Sequence, residues 1–216
     1  MNAPIIESNK TTKQRKFRLR SLLSFPQIFN FYLLLIGFNT LRRKFVNEFI
    51  KPFPGATILD IGCGTASILD FLPDNVSYTG FDMNQRYISY ASKKYLKAVF
   101  SCEEIKESLN TIPNHFDIVL ASGVLHHLND HEVENLFEKS RSSLKDGGYL
   151  MTHDPTYVEN QSPITRFIIS MDRGVHIRTP EEYLSLAKKY FKKVETTVFH
   201  DILRIPNTIL FMKCYK

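Results

Sequence analysis

Asp60-Ile61-Gly62-Cys63-Gly64 follows a run of strand character, Thr57 to Ile61, and opens what reads as a helix. Glycine lets a backbone turn sharply or lie against a ligand because it has no Cβ. Strand, glycine turn and helix in succession bring helix N–H groups and a carboxylate beside one nucleotide-like ligand. No lysine follows Gly64 as a phosphate loop requires. A dinucleotide turn wants a third small residue where Ser67 stands, and Asp60 would repel a pyrophosphate. A carboxylate there attracts an ammonium group instead, which suits a ligand such as S-adenosylmethionine (SAM) and disfavours a nicotinamide cofactor. Further along, histidines cluster as His126-His127 and as His153-Asp154, followed by Tyr157, Arg173, His176 and Arg178.

Two more segments complete the pattern. VSYTGFD (76–82) reads as a second strand ending in Asp82. An acid about 20 residues past a glycine turn takes ribose hydroxyls by paired hydrogen bonds. FDIVLASGVLHHLND (116–130) reads as a hydrophobic strand with a small-residue exit, Ala121-Ser122-Gly123, then Leu125-His126-His127-Leu128.

In this order and spacing, residues 55–152 resemble the class I SAM-dependent methyltransferases, in particular the small-molecule (type 11/12-like) group with an LHHL segment after the fourth strand. The resemblance implies a Rossmann-like, doubly wound α/β sheet of about seven strands, mostly parallel with an antiparallel edge strand. It implies SAM as cofactor and S-adenosylhomocysteine as product. It places Asp60, Gly62, Cys63, Gly64, Asp82, Met83, Glu103 and Ser122 around that cofactor. Two positions depart from the pattern. Ala66 stands at the last glycine of the turn, tolerable as a small, helix-favouring residue. Glu103 stands in for the aspartate that holds the adenine amino group.

Methyl transfer is an in-line displacement, so the protein must align the acceptor, exclude water and, for a hydroxyl, remove a proton. Histidine is the natural base near neutral pH. His126 leads, with His127 and His153 as the other catalytic candidates; one of the pair packing while the other faces the cleft stays open. Asp154, Tyr157, Arg173, His176 and Arg178 are the candidates for holding the acceptor, with salt bridges to other helices the alternative for the arginines. Without a helical His-x-x-x-His, no metal is expected. Cys63 reads as a turn filler rather than a nucleophile.

Around these residues the chain is 43% hydrophobic and 23% charged, a globular composition. Three scattered cysteines exclude a disulfide framework or Cys-based zinc site and suit a reducing, cytoplasmic setting. The net charge is +6, and residues 1–20 supply nearly all of it: Lys10, Lys13, Arg15, Lys16, Arg18 and Arg20 against Glu7. The near-neutral remainder does not fit a specific nucleic-acid enzyme.

The expected organisation is a basic arm over 1–20, a helical cap over 21–50, and the catalytic domain over 51–216 with a substrate-side insert at 153–178. Strands are expected near 57–61, 77–81, 97–101, 116–121, 147–153, 193–200 and 207–214, and helices near 65–72, 84–96 and 131–144. Lys145-Asp146-Gly147-Gly148 reads as the stop of that last helix. Ile28 to Phe38 is apolar but interrupted by Asn30, and a spanning helix needs about 20 residues. The cap is expected to roof the active site. The other reading is an interfacial helix touching an anionic membrane through residues 10–38. The apolar cap favours a small molecule, sugar or lipid headgroup as acceptor, methylated at oxygen. The alternative function is a non-catalytic binding or scaffold module, against which the intact Asp60, Gly62, Gly64 and Asp82 argue.

Overall fold

The computed structural model describes residues 24–103, 113–172 and 174–216; the basic arm and Arg173 lie outside them. Seven strands form one sheet: β1 (Thr57–Ile61), β2 (Ser77–Asp82), β3 (Val99–Cys102), β4 (Phe116–Ser122), β5 (Leu144–Pro155), β6 (Lys193–His200) and β7 (Thr208–Tyr215), in the order β3-β2-β1-β4-β5-β7-β6. Strands β1 to β5 pair in parallel, while β7 runs antiparallel to both β5 and β6. The mostly parallel sheet with a closing hairpin is therefore present as expected. β1 is buried over four of its five residues, the signature of a strand covered on both faces.

The two faces are filled by alternate residues. Leu59, Ile61, Val119, Ala121 and Leu150 pack against α4 (Asp130–Ser143) and α6 (Pro180–Lys188), through Val133, Leu136, Phe137, Tyr183 and Leu186. Ile58, Ile118, Leu120, Met151 and Phe211 face the other way, toward the N-terminal helices and α3 (Gln85–Lys94). Those N-terminal elements are α1 (Pro26–Leu35), α2 (Phe38–Lys44) and a π-helical turn, Phe45–Ile50. Leu41, Phe45 and Ile50 are completely buried. α2 and the π turn pack into one layer of the core, and Asn30 of α1 reaches over the cofactor turn.

Local chemistry explains most boundaries. Pro26 starts α1, whose intrahelical donors it does not interrupt. Capping boxes Asn129/Glu132 and Thr179/Glu182 start α4 and α6. Three expectations fail. After the glycine turn the chain makes only a 3-10 helix, Ser67–Phe71, because Pro73 forces Leu72 into extended geometry. Ala66 precedes it in the left-handed region at φ 52°, so its small size matters and its helix propensity does not. The stretch 145–148 is a bulge inside β5, with Gly147 at φ 80°, and α4 has already ended at Ser143. The insert at 153–178 contains a helix, α5 (Pro163–Ser170), that the polar flanks of the segment obscured.

Candidate active site

The strand order reverses between β1 and β4, and ligands of open α/β sheets bind beyond the carboxyl ends at such a point. Register sets the residues there. Asp60 pairs with Gly80 and Leu120, Asp82 with Cys102, and Ser122 with His153.

On the β1–β2 side, Gly62 and Gly64 have φ 70° and 57°. A Cβ on Gly62 would meet Val124 Cγ2 at 2.7 Å, so the first glycine is required by contact as well as by conformation. The turn is tied down by Asp82, whose Oδ2 accepts from Gly64 N at 2.9 Å and whose Oδ1 accepts from Asn84 N at 2.7 Å. Burial raises the Asp82 pKa against those two bonds. Cys63 packs its sulfur toward Gly80, where a Cβ would sit 2.9 Å away. Burial, then the Asp60 and Asp82 charges, push its thiol far up, so it is a filler and not a nucleophile. Met83 is 76% exposed, and Glu103 is half-buried just past β3.

Asp60 is almost fully buried. Its Oδ2 accepts from Tyr78 Oη at 2.5 Å, while Oδ1 is buried without a partner among the described residues. Burial raises its pKa to about 7, with Tyr78 and Arg42 opposing and Asp82 adding to the rise. Above the turn, Asn30 of α1 accepts from Thr65 Oγ1 at 2.7 Å and from Ser67 Oγ at 3.2 Å.

On the β4–β5 side the histidines separate. His126 is buried between two carboxylates: Nδ1 is 2.8 Å from Asp154 Oδ1, and Nε2 is 3.2 Å from Asp172 Oδ1. Burial alone would discharge the ring, but Asp154 and Asp172 outweigh it and raise its pKa to about 9. Both ring nitrogens of His126 therefore face carboxylates. His127 is exposed, with its ring centroid 4.0 Å from that of His126. His126, His127 and Asp172 bring donor atoms within 4.8 Å of one another. His153 does not reach the cleft mouth. It points to the opposite face of β5 from Asp154, among Phe38, Phe45 and Phe211 at 4.8–5.8 Å. Burial, with the charges of Arg42 and His126, lowers its pKa to about 3.

The residues expected on the acceptor side differ in their surroundings. Arg178 is buried and uses five donor contacts: Nε and Nη2 on Asp130, Nη1 on the Leu125 and His176 carbonyls, Nη2 on the Leu128 carbonyl. It pins the insert across the His126 turn and has nothing left for an acceptor. Asp154 is buried; its Oδ1 meets His126 Nδ1 at 2.8 Å and accepts from His126 N at 3.2 Å, while its Oδ2 has no partner among the described residues. Tyr157 and His176 are half-buried at the same edge, Tyr157 beneath Arg166 at 4.8 Å. Ser122 Oγ is buried without a partner among the described residues.

The methyltransferase-domain family profile matches residues 58–148, the span holding the glycine turn, Asp82 and the histidine pair. That segment is similar to the methyltransferase-domain family. A solved SAM-dependent methyltransferase from Archaeoglobus fulgidus shares the fold at TM-score 0.67 and 18% identity, over 86% of this chain and 98% of that one. Phosphoethanolamine N-methyltransferase 2 of Haemonchus contortus, solved with phosphomonomethylethanolamine and S-adenosylhomocysteine, aligns at TM-score 0.63 and 16% identity, over 81% of this chain and 52% of that one. The phosphoethanolamine N-methyltransferase of Triticum aestivum is 23% identical over 92% of this chain and 38% of its own length. The chain spans only 3% to 38% of the first curated relatives it matches.

The residues at this site fit SAM as a ligand. The orphaned Asp60 Oδ1 is a buried acceptor that an ammonium group would satisfy. The positive-φ glycines leave the turn without side chains, and Asp82 keeps acceptor capacity beyond its two backbone bonds. Sequence reasoning missed Asn30, Tyr78, Arg42 and Asp172. Each acts on a residue distant in the chain, and no local spacing announces such a pair.

Proposed function

We propose that this chain transfers a methyl group from SAM to a small polar acceptor of the lipid-headgroup class, with His127 receiving the acceptor's proton. One observation carries the reading: Asp60, fitted to an ammonium group, with Asp82, fitted to ribose hydroxyls, and an exposed histidine backed by a fixed ion triad flank the β1–β4 crevice. The phosphoethanolamine N-methyltransferases among the relatives support a headgroup-like acceptor.

When bound, SAM supplies a methyl carbon made electrophilic by its sulfonium. Asp60 would hold the ammonium end, and Asp82, Glu103 and Met83 the ribose and adenine end. Ser122 sits between the two halves. The acceptor's lone pair would take that methyl, with the C–S electrons left on sulfur, so the chain's own task is to align the acceptor and take its proton. The acceptor's proton passes to His127, exposed at the mouth of the crevice. The Asp154–His126–Asp172 triad positions His127 by ring contact. His176 and Tyr157 line the acceptor side.

Calorimetry with S-adenosylhomocysteine, wild type against Asp82→Ala, tests the cofactor half; NAD is the control. Labelled SAM incubated with phosphoethanolamine and with hydroxyl-bearing sugars tests the acceptor. An oxygen acceptor requires the base, so His127→Ala should abolish its turnover. An amine entering as free base should tolerate that change at high pH. Tight cofactor binding without turnover on any acceptor would leave a non-catalytic module.

A further inference from the structure

We propose that the outer face of α1 docks this protein on an anionic lipid bilayer, at the sheet edge that carries the cofactor turn. The proposal stands whether or not the acceptor is itself a lipid headgroup.

α1 is apolar on two faces, and described residues of the cofactor turn and α3 pack against one of them. Pro26 and Leu33 are buried, the Phe29 ring stacks on Tyr87 at 5.0 Å, and Asn30 bonds the cofactor turn. The positions 28, 31, 32 and 35 form a second stripe at helical spacing. There Ile28 is 41% exposed, Phe31 60%, Tyr32 42% and Leu35 55%, with Leu34 and Phe25 beside them at 49% and 44%. A helix covering a water-soluble surface would carry charges along that stripe; α1 carries none.

The charges sit at its ends. Arg86 lies 4.5 Å over the Phe25 ring and donates to Ser24 Oγ at 2.9 Å. Arg204, exposed, donates to the Leu34 and Leu35 carbonyls at 3.5 and 3.3 Å. No acidic residue occurs between Glu7 and Glu48, whereas Lys10, Lys13, Arg15, Lys16, Arg18, Arg20, Arg42, Arg43 and Lys44 do. An apolar stripe with cations at both ends and a basic flank matches the bilayer interface: acyl chains for the stripe, anionic headgroups for the cations. A protein partner of matching shape would need no such one-signed flank.

The topology agrees. α1 lies on the turn after β1, and α5 follows the carboxyl end of β5, so both belong to the edge that carries the site. α5 carries a stripe of its own, with Ile164 65%, Phe167 62% and Met171 57% exposed at i, i+3 and i+7.

The experiment is co-sedimentation of the full chain with vesicles of phosphatidylcholine alone and of equimolar phosphatidylcholine and phosphatidylglycerol, at low and high salt. Phe31→Ser/Leu35→Ser is run beside wild type, and melting curves and sedimentation velocity without lipid control for fold and oligomeric state. We expect pelleting with the anionic vesicles only, release by salt, and at least about tenfold weaker partitioning of the double variant with unchanged melting. A chain that stays in the supernatant overturns the proposal. So does binding the double variant retains in full, which would assign it to charge alone. A lipid-free dimer that the double variant dissociates would give the face to a second copy and also overturn it.

Discussion

Two buried ionisable residues have raised pKa values for opposite physical reasons, and their pH windows separate them. Asp60 has a folded pKa near 7, raised by burial. The folded state therefore holds a proton that the unfolded state releases, and stability falls as pH rises from about 4 to about 7. Asp60→Asn keeps an acceptor for Tyr78 and removes the charge. The variant should melt above wild type at pH 8, match it near pH 4, and bind S-adenosylhomocysteine more weakly. Thermal scans across that range and calorimetry check it; a wild type that stays the more stable at pH 8 would refute a costly buried charge. His126 moves stability in the same direction over a higher window, because its carboxylate partners favour the charged ring. Its folded pKa near 9 lies above the ordinary histidine value, so its contribution is complete below about 6.5 and is lost as pH rises through 9. Imidazole titration by NMR should place His126 well above neutrality, and Asp172→Asn should bring it down by removing one of its two carboxylates. If Asp172→Asn leaves the titration unmoved, Asp154 alone sets the charge.

Among the elements, the insert shows why a motif can be legible and its role not. His153, Asp154, His176 and Arg178 are visible as chemistry-bearing types in the sequence. Strand alternation then sends His153 into the aromatic core and Asp154 toward His126, and that parity depends on where β5 begins its bulge. Arg178 was readable as an anion clamp; the carbonyls of Leu125, Leu128 and His176 claim it instead. The cofactor half was legible because its signals are local: glycines at a turn, an acid at the next strand end, caps at helix starts. The 3-10 helix and Ala66 escaped because Pro73 and a left-handed φ override propensity. The same contacts predict that Arg178→Lys, keeping charge but losing the planar fork, destabilises the fold by about 2–4 kcal/mol. Urea unfolding measures it. A change below about 0.5 kcal/mol would mean that Arg178 pins nothing and is free for an acceptor.

At the scale of the molecule, the N-terminal helices and the C-terminal hairpin meet at one ring. Phe211 of β7 touches Phe45, Phe49, Phe199 and His153 at centroid distances of 4.8–5.7 Å, with essentially no exposure. Phe45 and Phe49 belong to the π turn, Phe199 to β6 and His153 to β5. Segments from both ends of the described chain thus share a single aromatic cluster over the central sheet. An appended cap would open before the sheet; a layer of the core opens with it. Amide exchange of α2 and the π turn should therefore be as slow as that of β4, and one unfolding transition should report both. Phe211→Ala should cost about 3–5 kcal/mol, lowering protection in α2 and in β4 by the same factor. Exchange in α2 that stays fast in wild type, or protection lost in α2 but kept in β4, would restore the cap as a separate unit. The consequence reaches the site. Asn30 can hold the cofactor turn only if α1 is anchored, and α2, which follows it across Gly37, is locked through this cluster.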